Sequence, residues 1–402
     1  MHLFQEAGGT DSCPEKGKEM TMGRNRLYGI GEPVTIDVLR GKTTSEAAVG
    51  IMNDLGVTAF REWMWAAMNP APEDYERICA AYDRTLDLCV RSDIEVTGVA
   101  GPTIPYEINH GNGMPYRDLT PGSDYRRVLT ETERNWERIV SRFPQIRQWE
   151  VGNEWNFRLF MHPIGWKEGD KGFTIGEMML IACDLMYVSA RGIRKANPEC
   201  TVVSFSPTPD GQHQYLPEGV PSCYGIAVCL DLMYRNIKEG RSFSRNTDDY
   251  FDMVAWHPYL STQMGYAPYT TAYPAEKMYL TDDMPDALWK NYNDMAYHVM
   301  AKYGDGKKKV LLTEFGFSDC GDPEREKAQA ALIPRCFELL REMPYVKTCH
   351  FFRLFEEEDS AASENGIFTN ESESKFGIVR EAVHEYMYRT KALELKKVYR
   401  ES

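Results

Sequence analysis

Two hydrophobic runs in this chain end in a glutamate. The first, Trp149-Glu150-Val151-Gly152-Asn153-Glu154-Trp155-Asn156, closes on a carboxylate set between an amide and an indole; the second, Val310-Leu311-Leu312-Thr313-Glu314-Phe315-Gly316-Phe317, delivers Glu314. Two strands that each bring one carboxylate to a common rim make an acid/base or acid/nucleophile pair. Other apolar runs stop at polar groups in the same way: Arg61 and Glu62, His257 and Tyr259, and Arg353.

Positioning such groups takes a scaffold, and hydrophobic periodicity supplies one. Short apolar runs at 27–30, 57–64, 94–99, 146–154, 201–206, 251–259, 309–317 and 346–354 read as strands. Between them lie helical patterns over 44–55, 72–91, 124–142, 175–196, about 224–238, about 285–302 and 323–341, with a last one near 376–388. Near-continuous apolar strands are those buried on both faces of a parallel sheet. Eight strands alternating with eight helices predict an α/β fold, a (β/α)8 barrel, in which function sits at the C-terminal strand ends. No GxGxxG or GxxxxGK[ST] run marks a dinucleotide or nucleotide site, and no cofactor is expected.

The 402 residues suit one catalytic barrel over 26–392, with 1–25 as a tail or barrel-bottom cover and 393–402 as a C-terminal tail. At 43% hydrophobic and 26% charged, the chain has the composition of a globular protein, and its net charge of −14 argues against nucleic-acid and anionic-membrane partners. The first residues lack a basic and an apolar signal region, so a cytoplasmic location is the expectation. The ten cysteines, without a CxxC pair, read as buried reduced thiols. The oligomeric state is open.

With the two glutamate motifs in this strand order, the chain resembles the retaining glycoside hydrolases of clan A, the TIM-barrel β-glycosidases. Val151-Gly152-Asn153-Glu154 matches the clan's Asn-Glu pair at the end of strand four, and Leu312-Thr313-Glu314-Phe315-Gly316 its glutamate ending strand seven. The resemblance implies Glu154 as acid/base and Glu314 as nucleophile, Arg61 as the nucleophile's supporting arginine, and His257-Pro258-Tyr259 as the strand-six His-x-Tyr. It implies a carbohydrate substrate; Asn153 is then expected to contact the sugar 2-hydroxyl, and Trp155, Trp63 and Arg353, by their place on the rim, are candidate further contacts. The clan's tryptophan ending strand eight is replaced here by Phe351-Phe352-Arg353-Leu354, and Gly101-Pro102-Thr103 follows strand three, departures that bear on which sugar is held.

The chemistry has its own requirements. A glycosidic bond breaks through an oxocarbenium-like transition state, which needs one acid to protonate the leaving oxygen and one carboxylate to attack the anomeric carbon. At the separation that retention requires, the charge on Glu314 is expected to keep Glu154 protonated, while Arg61 and Tyr259 hold Glu314 ionised. The expected activity is hydrolysis of β-linked oligosaccharides or small β-glycosides. An endo-acting β-glucanase or mannanase, or a carbohydrate-binding barrel without turnover, are the alternatives. A metal site through His110, His162 and His257 is not expected, because no HxH or HExxH spacing puts two ligands on one element. The rim aromatics, Trp65, Phe157, Trp166 and the Tyr266–Tyr279 loop among them, are sugar platforms or loop staples, and the acidic run 356–359 reads as a solvated face.

Overall fold

The computed structural model describes residues 28–31, 33–68, 71–109, 113–167, 170–209, 225–259, 286–316 and 335–354. The expected tails, the tyrosine-rich loop, the acidic run, His110, most of the helix expected over 323–341 and the helix near 376–388 lie outside these residues.

Eight strands form one parallel sheet: β1 (Tyr28–Gly31), β2 (Ala59–Trp63), β3 (Glu95–Ala100), β4 (Gln148–Val151), β5 (Thr201–Val203), β6 (Val254–Trp256), β7 (Val310–Phe315) and β8 (Val346–Phe352). Their spatial order is β5-β4-β3-β2-β1-β8-β7-β6. The two outer strands meet through a parallel bridge between Val203 and Met253, with Ser204 N–H donating to Met253 O at 3.0 Å. The sheet therefore curls into the (β/α)8 barrel expected from the sequence.

Helices fill the crossovers: α1 (Val34–Leu39), α2 (Ser45–Asp54), α3 (Trp65–Met68), α4 (Tyr75–Arg91), α5 (Asp124–Arg142), α6 (Ile175–Ala196), α7 (Ile226–Lys238) and α8 (Asp286–Lys302). The short α1 and α3 were not legible as amphipathic helices; six and four residues are too few to show a 3.6 period. The helix expected from Pro72 starts as a 3-10 turn and becomes α-helical at Tyr75. β1 and β3 match their apolar runs in length, displaced by one residue; the other six strands are shorter than theirs, because the run continues past the last ladder bond into the loop that carries the polar group.

Caps set the helix starts. Thr44 accepts from Ala47 N at α2, Ser123 from Arg126 N at α5, and Thr174 and Glu177 form a reciprocal capping box at α6. The main core lies between sheet and helices. Trp149 of β4 points outward, edge-on to Trp136 of α5, with centroids 5.8 Å apart. Alternation then turns Gln148 and Glu150 into the barrel interior. Helices α5 and α6 approach closely at Gly192, where a Cβ would lie 2.3 Å from Glu133 O. The seven cysteines among the described residues are buried and form no disulfide with one another, as thiols in such a core should. None of the described helices is long and apolar enough to cross a membrane.

Candidate active site

The C-terminal mouth of the barrel gathers charge from strands on opposite sides. Arg61 of β2 is fully buried and reaches three acceptors at once. Its Nε and Nη2 donate to Glu150 at 2.6 and 3.2 Å, its Nη1 to Glu314 Oε2 at 3.3 Å, and its Nη2 also to Asn153 Oδ1 at 2.7 Å. Glu62, the next residue on β2, faces the other way and accepts from Thr35 and from Trp63 N. Of the two polar groups ending that run, only Arg61 belongs to the mouth.

Glu154 lies three residues past β4 with φ of +46°, a left-handed conformation that is uncommon for a residue with a side chain. Its own N–H donates to Ser206 O at 2.9 Å and its carbonyl accepts from Phe157 N at 2.7 Å, and these bonds hold the turn. Gly152 opens it at φ of +86°, with the Trp155 ring where a Cβ would stand, 2.2 Å away. Strained backbone of this kind is kept where the surrounding structure over-determines it.

His257 joins the two carboxylates. Its Nδ1 is 2.8 Å from Glu154 Oε1 and 3.3 Å from Glu314 Oε2, and its Nε2 is 3.1 Å from Thr313 Oγ1. One nitrogen of His257 and one oxygen from each glutamate lie within 4.8 Å of one another. Tyr259 packs edge-on to His257 at 6.2 Å; its buried hydroxyl closes no hydrogen bond among the described residues, and the charges of Glu314 and Glu154 add to burial in pushing the phenol up.

Burial pushes Glu154 up to about 7, with a hydrogen bond from Thr208 and the charge of Arg61 opposing it. Desolvation comes first here, ahead of the charge repulsion expected; the mutual repulsion of Glu154 and Glu314 adds to the rise at Glu314, and the charge of Glu150 adds to both. Glu314 also lies above the ordinary carboxylate range, again through burial, although Arg61 and His257 pull it down. Arg61 was expected to hold Glu314 fully ionised; it divides its charge between Glu314 and the closer Glu150. Burial lowers His257 to about 4, so its ring is neutral near pH 7.

The other expected contacts fall differently. Trp155 is not presented to a sugar: it is 2% exposed and stacks on Phe205 at 5.7 Å, a staple beneath the loop. Trp63 is half-buried in the mouth, nearly parallel to Phe352 at 6.4 Å, with its indole N–H buried and unpartnered among the described residues. Arg353 is buried and pairs with Asp37 of α1 at 3.4 Å, lying over the Phe352 ring rather than bonding either glutamate. His162 lies tilted against Trp166 with ring centroids 5.0 Å apart and is not one of the three residues of the cluster.

Glu150 is the central residue that sequence reasoning missed. It is fully buried and accepts from Arg61, from Ser206 Oγ at 2.6 Å and from Thr313 Oγ1 at 3.0 Å. A charge inside an otherwise apolar strand, two residues from Gln148 on the same face, was the available signal.

A glutamate pair with a histidine also offers three ligand atoms to a cation. Glu314 Oε2, however, already takes Arg61 Nη1 at 3.3 Å, and a divalent ion there would stand beside a guanidinium. The hydrogen-bonded acid pair suits this donor set better.

No protein-family model and no curated protein matches the sequence. Solved structures do share its fold. A family 39 glycoside hydrolase from the gut symbiont Bacteroides cellulosilyticus WH2 superposes with a TM-score of 0.57 at 17% identity, over 90% of this chain and 64% of that one. The chain thus spans just under two thirds of that protein's length. A GH5-4 broad specificity endoglucanase from Clostridium acetobutylicum gives 0.59 at 13% identity, covering 90% and 97% of the two chains. A family 1 β-glucosidase from Thermotoga maritima gives 0.56 at 14%, covering 92% and 98%. The barrel is therefore the one on which glycoside hydrolases of families 39, 5 and 1 are built.

Proposed function

We propose that this protein is a retaining β-glycoside hydrolase acting by double displacement, with Glu314 as nucleophile and Glu154 as acid/base. The observation that carries the reading is the approach of one oxygen from each glutamate to within 4.8 Å across the barrel mouth. Retaining enzymes hold their two carboxyl groups about 5–5.5 Å apart, whereas inverting ones leave about 6.5–9.5 Å for a water. The acid's charge state fits, while the nucleophile, also raised by burial, relies on Arg61 and His257 to draw it toward the ionised form. A carboxyl held at about 7 is still largely protonated at mildly acidic pH and can protonate a leaving oxygen.

In the first step Glu314 attacks the anomeric carbon as the glycosidic oxygen takes the Glu154 proton and departs. In the second, Glu154 removes a proton from water, the water oxygen attacks the same carbon, and Glu314 is released. Asn153 has a defined part. Because its Oδ1 accepts from Arg61 Nη2, its amide N–H groups remain to donate to a sugar hydroxyl such as that at C2. Hydrogen bonds there tighten at the transition state. Fold likeness to glucosidases and an endoglucanase supports β-glucosides as the first substrates to try.

The test is chemical. Aryl β-glycosides and β-linked oligosaccharides of two to six sugars are offered to the wild type, the series separating exo from endo action by product length. Glu314→Gly is then assayed on the aryl substrate with azide. Azide entering the vacated space attacks the face opposite the leaving group, so an α-glycosyl azide is the expected product. Sugar binding without turnover on any substrate would support a binding barrel instead, and full activity of Glu314→Gly would end the nucleophile assignment.

A further inference from the structure

Hydrogen-bond direction along the mouth cluster determines where its protons sit. Glu150 is clasped by Arg61 at 2.6 and 3.2 Å, and an ionised carboxylate only accepts. Thr313 Oγ1, 3.0 Å from Glu150 Oε1, must therefore donate to it. A threonine has a single O–H. With that proton given to Glu150, the Thr313 oxygen is left as an acceptor for His257 Nε2 at 3.1 Å, so Nε2 carries a hydrogen.

The consequence falls on the other ring nitrogen. His257 is fully buried and neutral near pH 7, so a proton on Nε2 leaves Nδ1 as a bare lone pair, 2.8 Å from Glu154 Oε1. Two lone pairs at that distance repel. A proton on Glu154 converts the contact into an O–H···N hydrogen bond. The opposite tautomer would let Nδ1 donate to Glu154 and Glu314, but Thr313 would have to turn its hydrogen to Nε2. Two oxygens, Thr313 Oγ1 and Glu150 Oε1, would then face each other at 3.0 Å with no proton between them.

We propose that Glu150, acting through Thr313, fixes His257 as the Nε2–H tautomer and so makes Nδ1 the acceptor that keeps the acid proton on Glu154. Glu150 and Thr313 are thus positioning residues, and the catalytic consequence rests on the acid role of Glu154 proposed above. The tautomer itself is a property of the free protein. The titratable and charged groups facing the His257–Glu154 contact are Arg61 of β2, Glu150 of β4, Tyr259 after β6, Glu314 of β7 and, beyond Arg61, His350 of β8. Glu314 and Glu150 draw a second proton toward the ring, while burial and Arg61 oppose it. His350 is itself driven down to about 3 by burial and adds no charge near neutrality.

Thr313→Val removes the hydroxyl from the chain of bonds and leaves the Glu150–Arg61 clasp in place. The readout is nitrogen NMR of the full-length protein labelled in histidine, with the His257 signals assigned by their loss in His257→Asn. The wild type is expected to show the Nε2–H pattern between pH 6 and 8. Thr313→Val is expected to move to Nδ1–H, and Thr313→Ser to restore Nε2–H. Once Nδ1–H donates to Glu154 the ionised carboxylate is favoured, so the Glu154 titration, followed by carbon NMR, drops by about one pH unit in Thr313→Val. The basic limb of kcat/KM should move down with it. Thr313→Ala, which leaves the position open, is the second variant if Val is not accepted. An Nδ1–H or doubly protonated ring in the wild type would overturn the proposal, as would a Thr313 variant that loses stability while keeping tautomer and titration. Absence of turnover on every glycoside would sink the hydrolase reading and leave the tautomer measurement standing.

Discussion

The barrel interior carries charge at both ends and treats it differently. At the N-terminal end, Lys347 of β8 donates to Glu95 of β3 at 2.7 Å and to Gln148 of β4 at 2.8 Å, and the Gln148 amide donates to Thr97. There, among the described residues, Lys347 pairs with Glu95, and both side chains keep 30% of their surface in water. At the mouth, Arg61 faces Glu150, Glu154 and Glu314 around a neutral His257, and none of these is more than 7% exposed. An apolar cluster of Val203, Ala255 and Leu311 lies inside the barrel apart from the main core. A balanced, wet pair needs nothing more than its own geometry. A dry cluster with three carboxyls and one guanidinium cannot keep all three ionised cheaply, so it retains a proton, and a retained proton is what acid catalysis requires.

The largest expected break in this contrast is Glu154→Gln. For substrates whose leaving oxygen needs protonation, kcat/KM should fall about 10²–10⁴-fold, with activated aryl glycosides affected less, and the basic limb near pH 7 should vanish. Stability should move the other way. Burial raises Glu154 from an ordinary 4.5 to about 7, so the folded state binds the proton more tightly than the unfolded chain. That contribution is full below pH 4.5 and is lost as pH rises through 7. Gln carries no such loss, so denaturant unfolding at pH 8 should show the variant more stable than wild type by up to about 3 kcal/mol, with the difference gone near pH 4. A variant less stable than wild type at pH 8 would mean that the mouth is balanced after all.

Tyr259→Phe should act more gently. The phenol stays neutral and its O–H lies beside Glu314, whose charge helps push the group up. Removing that O–H dipole weakens the polar surroundings of the ionised nucleophile, so the Glu314 titration rises and the acidic limb of kcat/KM shifts to higher pH, with kcat lower by about tenfold. Folding should change little, since the hydroxyl bonds to nothing among the described residues. An unmoved acidic limb would show that Tyr259 does not serve Glu314.

The same contrast explains what the sequence made legible. Glu154 and Glu314 stand out because a charge ending an apolar run has no packing reason to be there, and Arg61, Asn153, His257 and Tyr259 follow from the strand ends around them. Glu150 was passed over because it sits inside its run, where only the two-residue alternation with Trp149 and Val151 reveals an inward carboxylate. Trp155 misled through adjacency: the left-handed turn at Gly152 and Glu154 folds the indole under the loop instead of over the mouth. Arg353 likewise ends a strand, yet Asp37 of α1, a helix too short to show in the sequence, claims it. The source of the Glu154 shift was also hidden, because desolvation depends on side chains that come together only in the folded barrel.

The smallest effect is expected at the other end. Lys347→Met removes the cation that donates to Glu95 at 2.7 Å, a change that at the mouth would strand a dry carboxylate. Here water reaches the site through the exposed 30% of each side chain, so Glu95 is rehydrated rather than stranded, and the cost should stay at about 1 kcal/mol by denaturant unfolding. The kcat/KM profile should keep both limbs in place, because the bottom trio shares no hydrogen bond with Arg61, Glu150 or His257 and its net charge is balanced by its own members. A shift of either limb in Lys347→Met would couple the two ends electrostatically through the barrel. The retained proton at the mouth would then belong to the field of the whole interior rather than to the local excess of carboxyls over guanidinium.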